Sequence, residues 1–152
     1  DPFSTQMHMT QPKGNSPIVD AYNLGESHIR PVKTRKTVAK SLAIGNPADG
    51  IYALAALRQS GGSAVSVPEE EIVQGIQLLA ETEGIFTETA GGVVIAGLRQ
   101  IVKNNGINPD EPTVAFITGN GLKTLEAVEH IVDTVPISPT VDSFADAIAN
   151  RL

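Results

Sequence analysis

The sequence predicts an α/β domain in which a layer of parallel strands is joined by helical crossovers. Three observations carry that prediction. The chain is 41% apolar but only 4% aromatic, so its core is built from Ala, Val, Ile and Leu, the usual filling between a sheet and its covering helices. The compact run Ala64-Val65-Ser66-Val67 stands between two helical patterns, and strands separated by long crossovers pair in parallel. A second run, Thr113 to Ile117, is almost continuously apolar, as in a strand covered on both faces. It breaks into Gly119-Asn120-Gly121, where an open α/β sheet presents polar groups to a ligand.

The elements follow in order. Residues 1–6 carry no pattern and read as a loop or an engineered remnant, within an amino-terminal segment 1–16 that leaves room for a strand. Pro17 to Leu24 forms a short helix with proline in its first turn and Gly25 as its stop. A polar, basic loop containing Pro31 follows, and Thr37 caps a turn or short helix over Val38 to Ala43. From Asp49 a helix presents Ile51, Leu54, Ala55 and Leu57 on one face and stops at Gly61-Gly62. After the strand Ala64–Val67, Glu69, Glu70 and Glu71 open a helix whose positive end they suit. Its inward face is Ile72, Val73, Ile76, Leu79 and Ala80, and Gly84 ends it. Ile85 to Thr87 is a brief extended segment. A further helix runs from about Gly91 to Asn104, with Val94, Leu98, Ile101 and Val102 inward, and closes at Asn105-Gly106. Residues 17–124 thus form the α/β body. The tail 125–152 has helical potential over Leu125–Val132, extended chain at Pro136 and Pro139, and a last helix over Val141–Ile148.

Composition excludes several function classes. With no cysteine there is no disulfide scaffold, thiolate zinc site or cysteine nucleophile. His8, His28 and His130 lack metal-ligand spacing. A net charge of −6 argues against nucleic acid or an anionic membrane as partner. The expected setting is soluble and cytoplasmic, with no membrane span.

Three segments together carry a resemblance: Ser41-Leu42-Ala43-Ile44-Gly45-Asn46-Pro47-Ala48-Asp49-Gly50, Gly84-Ile85-Phe86-Thr87-Glu88-Thr89-Ala90-Gly91-Gly92, and Ile117-Thr118-Gly119-Asn120-Gly121-Leu122-Lys123-Thr124. In order and approximate spacing they resemble the threonine synthase family, fold type II enzymes that use pyridoxal phosphate. Gly14-Asn15-Ser16-Pro17-Ile18-Val19 adds a weaker match to a small-residue turn entering Pro-Ile-Val. The resemblance spans nearly the whole chain but only the carboxyl-terminal part of the family. The family's Ser-Phe-Lys-Asp segment, which holds the cofactor as a Schiff base, and its Gly-Asn-x-Gly-Asn phosphate loop have no counterpart here. Lys40 does not match that lysine by motif.

For individual residues the resemblance implies a set of pocket contacts. Thr118 offers its hydroxyl to the pyridine nitrogen, where a neutral group does not hold the ring as a full pyridinium. Gly119 and Asn120, with Gly121, turn tightly so that backbone can approach the ring. Glu88 lies near the ring, although many relatives have proline where this chain has Thr89. Ile44, Gly45 and Asn46 pass beside the cofactor face. Each has a structural counter-reading: a strand-end threonine capping the next helix, a plain turn, a glutamate at a helix amino terminus, a Gly-Pro connection between helices. Lys123 reads as a solvated or helix-flanking lysine, Glu69–Glu71 as a solvated first turn, and Arg30 to Lys36 as a solvated basic loop.

The resemblance therefore implies a carboxyl-terminal part of an enzyme converting O-phospho-L-homoserine and water to L-threonine and phosphate. It implies pyridoxal 5'-phosphate as cofactor, an amino-acid substrate, no catalytic residue in this chain, and a homodimer in the intact enzyme. Starting at Asp1, the chain reads as a piece of something longer and is expected to be inactive without the amino-terminal part. Two alternatives stay open: another fold type II enzyme such as a threonine dehydratase, and a non-catalytic interaction domain derived from the fold.

Overall fold

The computed structural model describes residues 5–131 and 135–149. Residues 1–4, 132–134 and 150–152 lie outside the described residues, and with them most of the expected amino-terminal loop and Val132 of the expected tail helix. The order is β1 (Met9–Pro12), α1 (Pro17–Asn23), a short 3-10 turn (Lys40–Leu42), α2 (Gly50–Ser60), β2 (Ala64–Val67), α3 (Glu69–Glu83), α4 (Thr89–Lys103), a kinked 3-10 segment (Gly121–Ala127) and α5 (Val141–Ala149).

β1 and β2 pair in parallel, Met9 opposite Ala64 and Pro12 opposite Val67. Met9 N donates to Ser63 O and Lys13 N to Val67 O, lengthening the ladder at both ends. Because strand side chains alternate in direction, β2 feeds two cores. Ala64 joins Ile18, Val19, Ala21, Leu54 and Leu57 from α1 and α2. Val67 joins Ile72, Val93 and Ala96 from α3 and α4, with Ala39. Helices therefore cover both faces of the small sheet, the α/β layering expected. A third cluster, Ile76, Ala127 and Val128 with Val73 and Phe86 beside it, ties the segment after Gly121 to α3.

Glycine signals set several boundaries correctly. Gly25, Gly61 and Gly84 all take positive φ and close α1, α2 and α3. The start of α1 is held by Gln11, whose Oε1 accepts from Ile18 N and Val19 N, both at 3.1 Å. Other expectations need correction. On α2, Leu54 and Leu57 are buried but Ile51 and Ala55 face outward, as does Ala80 on α3. On α4 the buried face is Gly91, Gly92, Val93, Ile95, Ala96, Gly97 and Ile101, whereas Val94 and Leu98 are half-buried and Val102 is exposed.

The reason for the α4 difference is close approach. A Cβ on Gly75 would lie 2.3 Å from Gly92 O, one on Gly92 2.5 Å from Ile72 O, and one on Gly97 2.1 Å from the Thr10 methyl. The glycine stripe lets α4 sit against both α3 and the sheet. The expected strand Thr113–Ile117 does not form: among the described residues no strand pairs with this run, and Val114 and Phe116 are exposed. α5 likewise has no buried residue, and its stripe of Val141, Phe144 and Ile148 faces outward.

Candidate functional site

The turn after Ile117 is fastened to the segment before α4. Gly119 O accepts from Glu88 N at 3.1 Å and from Thr87 Oγ1 at 3.1 Å. Gly121 N donates to Phe86 O at 3.0 Å, and Thr87 and Asn120 form an isolated antiparallel bridge. Asn120 then starts the following 3-10 segment, its Oδ1 accepting from Leu122 N at 2.9 Å. Packing, not left-handed backbone, selects the two glycines. A Cβ on Gly119 would lie 1.8 Å from Glu88 Oε1, and one on Gly121 would lie 2.5 Å from the Phe86 ring.

Glu88 is 4% exposed and occupies the N-cap position of α4 with extended backbone, yet its side chain makes no capping bond. The carboxylate turns instead to Lys123, whose Nζ stands 2.9 Å from Oε2. A carboxylate this buried needs a partner, and Lys123 supplies it from a side chain that is still largely solvated. Thr124 supplies the missing cap from outside the helix, its Oγ1 accepting from Thr89 N at 3.2 Å. Thr89 Oγ1 is buried and, among the described residues, has no hydrogen-bond partner. Sequence reasoning missed Thr87, Lys123 and Thr124 as parts of this latch. The only signal was a hydroxyl or charge in each of two segments far apart in sequence.

Thr118 stands at the exposed corner of the latched turn, and among the described residues its hydroxyl has no hydrogen-bond partner. The structure thus brings Thr118, Gly119 and Asn120 beside Glu88. Ile44, Gly45 and Asn46 belong to a different turn, fastened to Val32. Gly45 O accepts from Val32 N at 2.9 Å, and a Cβ on Gly45 would lie 2.0 Å from Val32 O. Ile44 and Asn46 are exposed, and among the described residues no hydrogen bond joins this turn to Thr118.

Two open hollows are lined by other residues. One of about 400 Å³ is lined by Gly14, Asp20 and Val32 to Arg35. The other, about 340 Å³, includes Lys40, Glu69 and Glu126. Beside the second, Lys40 Nζ donates to Glu126 Oε1 at 2.8 Å, and this bond holds the Glu126 carboxyl below its ordinary value of 4.5. No helix among the described residues is long and apolar enough to cross a membrane.

Residues 2–119 match the pyridoxal-phosphate dependent enzyme family, and the chain belongs to it. Within that class it is similar to threonine synthases. It is 41% identical over 142 residues to threonine synthase from Methanosarcina acetivorans, covering 93% of this chain and 34% of that protein. It is 43% identical over 117 residues to threonine synthase from Methanocaldococcus jannaschii, covering 77% and 29%. The chain thus spans about a third of the length of the curated relatives it matches. The fold matches the crystal structure of threonine synthase from Escherichia coli with TM-score 0.63 at 16% identity, over 95% of this chain and 37% of that one.

Family membership implies pyridoxal phosphate, and the residues here fit one side of it. Thr118 presents an exposed, neutral hydroxyl, and the turn behind it is fixed by the bonds from Glu88 N and Thr87 Oγ1 to Gly119 O.

Proposed function

We propose that this chain forms the ring-nitrogen wall of the pyridoxal phosphate pocket of a cytoplasmic, homodimeric threonine synthase acting on O-phospho-L-homoserine. The observation that supports this best is the exposed Thr118 hydroxyl on a turn locked to Thr87 and Glu88. Thr118 binds the pyridine nitrogen as a neutral partner. Gly119 and Asn120 bring backbone beside the ring. Glu88, neutralised by Lys123, fixes the turn from beneath. Ile44, Gly45 and Asn46 line the cofactor face. The bound cofactor supplies the electron sink for the chemistry at the substrate carbons. This chain contributes no catalytic group. The lysine and the phosphate loop belong to the part of the enzyme that it does not match, so the isolated chain is inactive.

Complementation tests the reading. The chain is mixed with the part of the Methanosarcina acetivorans enzyme that it does not match, and phosphate release from O-phospho-L-homoserine is followed. Activity is expected only in the mixture, and a Thr118→Val chain should restore far less of it. Equal activity with Thr118→Val would overturn the role of the hydroxyl. Turnover by the isolated chain would overturn the division of labour.

A further inference from the structure

Six of the chain's 11 lysines and arginines lie between residues 13 and 40, against two carboxylates, Asp20 and Glu26. On a chain of net charge −6 this stretch is locally positive, and a positive hollow concentrates anions. Just past the carboxyl end of β1, the open hollow of about 400 Å³ gathers Lys33 and Arg35 with Gly14, Thr34 and Asp20. Its basic arm is built in place by a buried side chain. Asn15, 0% exposed, takes both peptide groups of Arg35: Nδ2 donates to Arg35 O at 3.1 Å, and Oδ1 accepts from Arg35 N at 2.9 Å. Gly14 has a φ of 85°, and a Cβ there would lie 2.9 Å from Arg35 Cδ and 3.7 Å from Nη1. The Arg35 side chain is therefore laid across the turn at Gly14. Among the described residues Lys33 and Arg35 enter no ion pair, and the backbone N–H groups of Gly14, Lys33 and Thr34 enter no hydrogen bond.

We propose that this hollow is a binding site for inorganic phosphate, with Lys33 and Arg35 taking the charge and Asp20 taking the proton. The Arg35 guanidinium offers a planar fork that matches two phosphate oxygens, and Lys33 adds a point charge. Asp20 decides which anion fits. It lines the same hollow, and its Oδ1 already accepts from Ser16 Oγ at 3.1 Å. An ionised carboxylate only accepts hydrogen bonds, so it repels an anion that has no proton to give. Inorganic phosphate keeps at least one proton at neutral pH and can donate it to Asp20. Sulfate has none. A phosphate monoester, with its second pKa at about 6, has mostly lost its own. The shared chemistry is a tetrahedral oxyanion, and the carboxylate selects the free, protonated form over the ester. Phosphate is also a product of the reaction proposed above. Nothing in the hollow depends on the cofactor wall, however, and the chain alone suffices for the test.

The full 152-residue chain is titrated at about pH 7.5 and constant ionic strength with sodium phosphate, sodium sulfate and glycerol 3-phosphate. Constant ionic strength removes general screening from the comparison. Binding is read from the NMR shifts of the Gly14, Lys33, Thr34 and Arg35 amides. Saturable shifts confined to these residues are expected with inorganic phosphate, and binding about tenfold weaker or more with sulfate and with the ester. The double variant Lys33→Met/Arg35→Gln should weaken phosphate by about tenfold or more. Asp20→Asn should tighten sulfate and close the gap between the two anions. Lys103→Gln, at an exposed lysine elsewhere, should change nothing. Circular dichroism should be the same for all variants, because Lys33, Arg35 and Asp20 are exposed and Asn15 grips only the Arg35 backbone. Shifts that never saturate, or that spread over every lysine, would show an adventitious ion only and overturn the proposal. Unchanged phosphate affinity in the double variant does the same. Equal affinity for sulfate and phosphate in the unaltered chain overturns the part given to Asp20, and tighter binding of glycerol 3-phosphate assigns the hollow to esters. Loss of the complementation described above, with phosphate still bound here, sinks the functional reading alone.

Discussion

Replacing Gly119 by alanine probes the latch beneath the turn. The new Cβ would stand 1.8 Å from Glu88 Oε1 and 2.3 Å from its Cδ, well inside van der Waals contact. A surface glutamate would swing aside, but this side chain is only 6% exposed and holds Lys123 at 2.9 Å. Either the carboxylate moves and the ion pair opens, or the Gly119 backbone retreats from Glu88 N and Thr87 Oγ1. Overpacking of this kind costs about 1–3 kcal/mol. The ion pair adds at most a few tenths of a kcal/mol (~0.5), because the Lys123 end is 62% exposed and screened. A loss of about 2 kcal/mol is expected, lowering Tm by about 4–8 °C in a chain of this size. Urea unfolding followed by circular dichroism, on Gly119→Ala, Glu88→Ala and the double variant, reads the coupling. Truncating Glu88 removes the atoms in the way, so the double variant should be more stable than the summed single effects allow, by about 1 kcal/mol or more. Additivity within about 0.5 kcal/mol would refute the latch as described.

Other perturbations address separate links. Gly75→Ala places a methyl 2.3 Å from Gly92 O, a backbone atom that cannot turn away, and should cost about 1–3 kcal/mol in the same unfolding assay. Gly61→Ala meets nothing within 4 Å and carries only the penalty of its φ of 66°, about 1 kcal/mol. Thr124→Val leaves Thr89 N without its acceptor, with an expected loss of about 1–2 kcal/mol and faster amide exchange at the start of α4. The Glu126 carboxyl is held below 4.5 by the Lys40 hydrogen bond. Its contribution to stability is therefore present above the unfolded value and is lost as pH falls through the lower folded one. Lys40→Met should raise the Glu126 titration, followed by NMR, toward the ordinary value without fully restoring it, since a backbone hydrogen bond also lowers it, and salt should raise it less.

Much of the fold was legible because its punctuation is local. Gly25, Gly61 and Gly84 stop helices through their own backbone freedom, and the glutamates at Glu69–Glu71 mark a helix start. β1 was not legible. Met9-Thr10-Gln11-Pro12 is polar and short, and it becomes a strand only because Ala64–Val67 lies beside it. The inward face of α4 was misread because glycine carries no hydrophobic signal, yet Gly92 and Gly97 permit its close approach to α3 and the sheet. At the site, the motif at Thr118–Asn120 was visible as a string. That Gly119 is demanded by the Glu88 carboxylate, and that Lys123 neutralises it, required the two segments to be seen side by side. The run Thr113–Ile117 reads as a strand from its composition, but a strand exists only with a neighbour, and among the described residues it has none.

The small parallel sheet also orders events in time. His8 and Ser63, which join by a hydrogen bond of 2.8 Å at the head of the two strands, are 55 residues apart in sequence. Closing so long a loop is slow unless the intervening chain shortens it with local structure. α1 and α2 do this by docking on each other through Ile18, Val19, Leu54 and Leu57, carrying Ala64–Val67 back toward Met9–Pro12. During synthesis the sheet cannot close until Val67 has left the ribosome. Until then the first strand is an open ribbon waiting for its second half.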